Sequence, residues 1–369
     1  MGGYLDKPIT TKEYEECVDR DGNPAAVGDM QGWRKEMEDS HILRPAVDVP
    51  DGKHIGVYAV FDGHSGKEVA RFCAIHFVGE LVNAINTMNI ETALKCCFHR
   101  MDEMIRMPEM EPLLRVLEGC ADGVLSDPSS AEEMRTKVKE QLDKADEKGS
   151  LTKEEALHLL DMMKTWKQLQ VSKTNTTEDS VLTTQAGCTA IVVVRHGDKL
   201  YAANAGDSRA VLCVKGQTEA LSFDHKPRNK IENARIVNAG GYVNEEGRVC
   251  GNLNLSRAIG DLSYKVNSDL PPESQIITAE PDIKIVDLTE DSDFFVIACD
   301  GIFDVKTSKE LVEFIYSRLQ LQLELKVIIE QLFDDCLSED FRYDDCQGHL
   351  GTDNMTCVIV LLKPLSYFR

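Results

Sequence analysis

Two apolar runs rich in β-branched and aromatic residues stop abruptly at Asp-Gly: VYAVFDGHSG at 57–66 and DFFVIACDG at 293–301. A third, GTDNMTCVIVLL at 351–362, is their mirror image, with Asp353 and Asn354 just before the apolar residues. Runs of this kind read as buried strands that deliver polar side chains to their ends. A strand that ends in Asp, beside an antiparallel neighbour that begins with Asp, sets both carboxylates at one edge of a sheet. Residues 199–214 read as a hairpin, KLYAANA and RAVLCV around Gly206-Asp207-Ser208, with Asp207 at the turn. Four aspartates, Asp62, Asp207, Asp300 and Asp353, gathered on one edge would repel unless cations neutralise them. The competing reading is a set of independent Asp-Gly turns. At the first stop, Gly63 lets the backbone turn and expose a carbonyl, and His64 is placed to move a proton.

Length allows one large domain or two modest ones, with 42% of 369 residues hydrophobic and 28% charged. The net charge of −22, from 63 acidic against 41 basic residues, argues against binding nucleic acid or anionic membrane. None of the 12 cysteines forms a Cys-x-x-Cys pair, and Cys188, Cys213, Cys299 and Cys357 lie inside apolar runs. Together with an opening that lacks an apolar signal region, this points to a reducing compartment, cytoplasmic or nuclear. No apolar run approaches the roughly 20 residues that span a bilayer.

The opening MGGYLDKP carries the glycine that N-myristoylation needs, but Asp6 stands where the acceptor pattern wants Ser or Thr; residues 1–23 read as a frayed tail. MQGWRKEMEDSH, 30–41, is too polar for core, and its Arg34 suits phosphate oxygens while Glu38 and Asp39 suit a cation. Helical spacing follows over 67–107, where His76 and His99 read as packed histidines. Residues 109–181 are charged and lack strand signals, with helical spacing at 131–142 and 152–169. Between them, 143–155 resembles a calcium loop, but Lys144 and Lys148 stand where carboxylate ligands belong, so a helical hairpin or docking insert is expected. After a short helix near 230–239, the irregular segment 252–272 suggests a flap beside a cleft, bounded at about 224–275. Two amphipathic helices, 308–319 and 321–337, precede the last strand.

RKEMEDSH, VYAVFDGHSG, AGCTA, ANAGDSRA, DHKP, RVCGNLNLSRAIGD, VIACDGIFDV and GTDNMTCVIV occur in this order. Together they resemble the metal-dependent protein serine/threonine phosphatases of the protein phosphatase 2C family. NLNLSRAIGD followed by LPPESQ is most similar to the gamma type, which also carries an acidic insertion in the matching place. The opening also resembles that of myristoylated animal members, which would make membrane contact conditional on acylation of Gly2. The resemblance implies an α+β four-layer sandwich, two antiparallel β-sheets flanked by α-helices, in a phosphatase domain over 24–369. It further implies two Mg²⁺ or Mn²⁺ ions and a looser third. Asp62 would bridge two ions, with Asp300 and Asp353 on the first, the Gly63 carbonyl on the second, and Glu38 holding waters of the second. Asp207 would join Asp300 at the third. Arg34 would grip phosphate and His64 would protonate the leaving oxygen, while Asp39, Thr189, Asp304 and Asn354 would support the ligands.

The implied reaction is hydrolysis of phosphoserine and phosphothreonine in proteins by a metal-activated water, with no covalent enzyme intermediate. An all-oxygen ligand set suits magnesium or manganese better than zinc. Phosphoproteins are the expected partners, and a monomer is expected. Phe303 replaces a tryptophan of the family's pattern, a packing change. Two rival readings are a pseudo-phosphatase that only binds phosphoproteins, opposed by the complete ligand set, and a calcium-responsive scaffold, opposed by Lys144 and Lys148.

Overall fold

In a computed structural model, residues 4–49, 53–118, 184–339 and 350–369 are described. One antiparallel sheet has six strands in the order β1 (Tyr4–Val18), β2 (Pro24–Arg34), β14 (Met355–Leu361), β13 (Ser292–Ala298), β9 (Arg209–Val214) and β10 (Gln217–Ala220). A second has five: β12 (Asp282–Asp287), β8 (Lys199–Ala205), β7 (Ala190–His196), β4 (Lys53–Phe61) and β3 (Ser40–Val49). Helices α1 (Glu68–Ile85), α2 (Ile90–Ile105) and α3 (Glu111–Glu118) cover the second sheet, and α6 (Ser308–Gln320) and α7 (Leu325–Cys336) cover the first, while α4 (Lys230–Asn238) follows β10 in the chain.

The period-two pleat explains why the central strands are apolar throughout. From β4, Val57, Ala59 and Phe61 meet Phe72, Phe77 and Phe98 on the helices, while Tyr58 and Val60 turn into the layer between the sheets. From β13, Phe294 and Val296 meet α6 and α7, and Phe295 and Ile297 enter the inner layer beside Val358 and Val360 of β14. Every side chain from Ile55 to Phe61 of β4 and along β13 is therefore taken out of water, whichever way it points. This is the four-layer sandwich that the family resemblance implies.

Four local readings differ from the structure. The opening is not frayed from Tyr4 onward: β1 pairs with β2 as the edge of the six-stranded sheet. An edge strand has one neighbour and an exposed side, so it can carry Lys12, Glu13, Glu15 and Glu16 without the apolar pattern that marks a buried strand. Residues 199–214 are not a hairpin, because β8 and β9 lie in different sheets and Gly206-Asp207-Ser208 crosses the sandwich. The tight turns fall one strand away on each side, at Gly197 (φ +58°) and at Lys215-Gly216 (φ +50° and +71°). The stretch around Arg34 is less polar in its surroundings than in its composition: β2 runs beside β14, with Met30 fully buried and Trp33 nearly so. Within 109–181, α3 buries Leu113, Leu114 and Leu117 in the same core as α1 and α2. The remainder of that stretch, including 143–155, lies outside the described residues.

Candidate metal centre

All the strand ends singled out above meet at one end of the sandwich. Asp62 follows the last residue of β4; Asp300 opens the short helix α5 (Asp300–Phe303) two residues after β13; Asp353 precedes β14. Because β13 and β14 are antiparallel neighbours, with Ala298 opposite Cys357, Asp300 and Asp353 emerge at the same edge. Asp207 reaches this edge from the other sheet, on the segment between β8 and β9. One carboxylate oxygen from each of Asp62, Asp207 and Asp300 lies within 4.8 Å of the other two, and Asp39, Asp62 and the Cys299 thiol form a second such group.

The glycines after Asp62 and Asp300 have a different role from a turn. A Cβ on Gly63 would collide with the Glu38 carbonyl oxygen, and one on Gly301 with the Asn354 carbonyl oxygen. The missing side chains let the loops that carry Glu38 and Asp353 close over the ends of β4 and β13.

Electrostatics describe the same centre. Burial, then Asp300, Asp39, Asp353 and Asp207, push the Asp62 carboxyl far above the usual carboxylate range. Burial, then Asp207, Asp353 and Asp304, do the same to Asp300, against a smaller opposing pull from Lys226. Asp39, fully desolvated and facing Asp353, is pushed up to about 7, although the Thr356 hydroxyl donates to it at 2.7 Å. Asp304 is raised by burial and by Asp207 and Asp353, with Lys226 opposing. Among the described residues, nothing donates a hydrogen bond to the Asp62 or Asp300 side chain. Half-buried carboxylates that repel one another and lack donors are what a hard divalent cation relieves, and the oxygen-rich donor set fits one.

The remaining candidates surround this cluster. Arg34 donates to Asp353 Oδ2 at 2.6 Å, while its buried Nε has no partner among the described residues. The Glu38 side chain accepts from the Gly66 amide at 2.7 Å, and its own amide donates to Asn354 Oδ1 at 2.9 Å. Asn354 also donates to the carbonyls of Gln31 and Glu36, so one amide stitches the loop after β2 to the start of β14. Thr189 donates its amide to the Asp62 carbonyl at 2.9 Å, and its hydroxyl meets Ser208 at 2.8 Å. Phe303 is buried beneath the Arg209 guanidinium, 5.0 Å from its ring centre, where Arg209 also grips Asp224 through two hydrogen bonds.

Two residues that carry this geometry received no role from the sequence. Lys226 donates to Asp207 and is the one cation in direct contact with the aspartate cluster besides Arg34, among the described residues. Asp261 lies 2.8 Å from His64 Nε2. Both sit inside noted motifs, DHKP and RAIGD, but neither motif shows what its charge touches. Burial works against a charged His64, yet Asp261, Asp207 and Glu38 leave its pKa above the ordinary value.

The protein phosphatase 2C family model matches residues 25–126 and 125–342. The chain is 36% identical over 372 residues to "Probable protein phosphatase 2C 21" of Arabidopsis thaliana, covering 98% of this chain and 93% of that protein. It is 35% identical over 370 residues to "Protein phosphatase 2C 1" of Paramecium tetraurelia, covering 98% and 100%. Among solved structures, a phosphatase from Toxoplasma gondii superposes with a TM-score of 0.62 at 20% identity, covering 95% of each chain. A Caenorhabditis elegans sex-determining protein superposes at 0.59 and 19% identity, covering 98% of this chain and 67% of the other. The fold, the carboxylate cluster and a family match running nearly end to end agree: the chain belongs to the protein phosphatase 2C family of metal-dependent protein phosphatases.

Proposed function

We propose that the chain hydrolyses phosphoserine and phosphothreonine in proteins, with two Mg²⁺ or Mn²⁺ ions held by Asp62, Asp300, Asp353 and the Gly63 carbonyl. Glu38 would help hold the second ion, and Asp207 with Asp300 would offer a weaker third position. The observation that carries this reading is the set of undonated, mutually repelling carboxylates of Asp62 and Asp300. Divalent ions held there would lower the pKa of water and offset charge building on the phosphoryl oxygens, so no enzyme nucleophile would be needed.

The protein's own groups do the rest. Arg34 is steered by Asp353, and the part of its guanidinium that stays exposed is free to face phosphate oxygens, a pairing suited to a guanidinium. His64 gives a proton to the departing alcohol oxygen. A serine or threonine alkoxide is a poor leaving group, so a positioned acid contributes about a hundredfold or more. Asn354, Asp39 and Thr189 hold the loops that carry these groups, and Asp304 adds a carboxylate beside Asp300.

Hydrolysis of a phosphothreonine peptide, followed by phosphate release, tests this. Turnover is expected with Mn²⁺, to vanish with EDTA, and not to be supported by Ca²⁺; turnover indifferent to the chelator would refute the proposal. In the same assay Arg34→Ala raises KM about ten- to a hundredfold, the loss of charge-assisted hydrogen bonds to a phosphate.

A further inference from the structure

A small three-stranded sheet, in the order β11 (Ile259–Gly260), β6 (Gly187–Cys188) and β5 (Gly63–His64), lies beside the metal centre. Each strand is only two residues long. Its register places His64 opposite Gly187 on one side and Gly260 opposite the same Gly187 on the other. Asp261 follows directly, and its carboxylate and the His64 ring meet over Gly187. A Cβ at Gly187 would lie 2.6 Å from Asp261 Oδ2 and 2.7 Å from His64 Nε2, so only glycine leaves room for the pair.

Asp261 is held for this contact. Its backbone is left-handed (φ +49°), its amide donates to the Ala186 carbonyl at 3.1 Å, and its side chain is buried. The preceding Gly260 amide donates to Asp102 Oδ1 of α2 at 2.8 Å, and Lys265 ties Asp102 Oδ2 to the Ala258 carbonyl. Among the described residues, His64 is the single side chain hydrogen-bonded to Asp261. A buried carboxylate with one such partner requires a donor there, so Nε2 carries hydrogen and Nδ1 remains for the substrate.

Resting on the reading of His64 as the proton donor, the geometry points to Asp261 as the residue that orients it, with Gly187 as the spacer that lets the two meet. In the step itself the bond between phosphorus and the alcohol oxygen breaks and its electron pair stays on that oxygen. The oxygen takes the Nδ1 proton of the His64 imidazolium, leaving the neutral ring with hydrogen on Nε2. The hydroxide left when water ionises forms the new bond to phosphorus, and the proton released in that ionisation balances the one Nδ1 gives up, so the ring is recharged for the next turnover. Asp261 keeps the Nε2–H and aims Nδ1 throughout, a positioning role.

A purely structural ion pair would slow every substrate alike, whereas an orienting pair matters only where the leaving oxygen needs a proton. The experiment compares, in Mn²⁺, kcat for a phosphothreonine peptide and for 4-nitrophenyl phosphate, whose phenolate leaves without help. Asp261→Asn and His64→Gln are each expected to lower peptide kcat by about ten- to a hundredfold with aryl phosphate within about threefold, and the double variant to be no worse than the slower single. Gly187→Ala is expected to give the same signature while keeping both groups, and reports on the pair if Asp261→Asn fails to fold. Equal losses on both esters, or an additive double variant, would overturn the role of Asp261. Should His64→Gln itself spare the peptide, the proton-donor reading fails; should it alone show the selective loss, only the pairing fails.

Discussion

Asp62→Asn is expected to lower phosphopeptide turnover at least about a thousandfold, a loss of about 4 kcal/mol of transition-state stabilisation, while raising the melting temperature of the chelated protein by several degrees. The two effects share one cause. Asp62 stands among Asp300, Asp39, Asp353 and Asp207, which already hold its carboxyl far above the ordinary range after burial has raised it. An amide of the same shape removes the charge on which cation binding depends and the repulsion that the metal-free fold must bear.

The pH dependence has a definite sign. Asp39 at about 7, with Asp62 and Asp300 also raised, binds protons more tightly folded than unfolded, so the chelated protein gains stability as pH falls from about 7 towards 5. Below about pH 4 the trend reverses, because Glu232 is held down to about 2 by Arg257 and Arg235 despite its burial. Its contribution is present above the unfolded value of 4.5 and disappears as it is protonated. Melting curves in EDTA across this range report both limbs. A metal-free Asp62→Asn protein less stable than wild type would contradict the repulsion argument.

Phe295→Ala is expected to cost about 3–5 kcal/mol, read as a shift in the urea midpoint. Phe295 is fully buried between the sheets, edge-on to Tyr58 with ring centres 5.3 Å apart. The layer around it is built from strands of both sheets, including Val27, Val193, Ile297 and Val358, whose hydrogen-bonded backbones limit how far they can close over a cavity. Against a total stability of roughly 5–15 kcal/mol, such a loss leaves little margin. A midpoint within about 1 kcal/mol of wild type would mean the inner layer collapses freely.

What the sequence revealed followed from which signals are local. Strands β4, β13 and β14 announce themselves because burial on both faces leaves no polar alternation, and antiparallel pairing of β13 with β14 brings Asp300 and Asp353 to one edge, whereas Asp62 joins them from the other sheet, which no local pattern encodes. The hairpin reading sets Asp207 at the observed edge for the wrong reason. Two short apolar runs around Gly-Asp-Ser look alike whether the chain turns back on itself or crosses to a second sheet, and only pairing with distant β12 and β13 decides it. β1 was missed because an exposed edge tolerates charge. Gly63, Gly187 and Gly301 are required by the approach of residues distant in the chain, which spacing does not encode. The meeting of Asp261 with His64 across 197 positions is the same kind of fact.

The central claim is that carboxylates from both sheets converge to bind divalent cations. Titration calorimetry of Mn²⁺ into chelator-stripped protein tests it most directly. Wild type is expected to take up two ions per chain, and Asp62→Asn to lose that uptake while still melting cooperatively. A wild-type protein that takes up no Mn²⁺, or an asparagine variant with unchanged stoichiometry and affinity, would contradict the account.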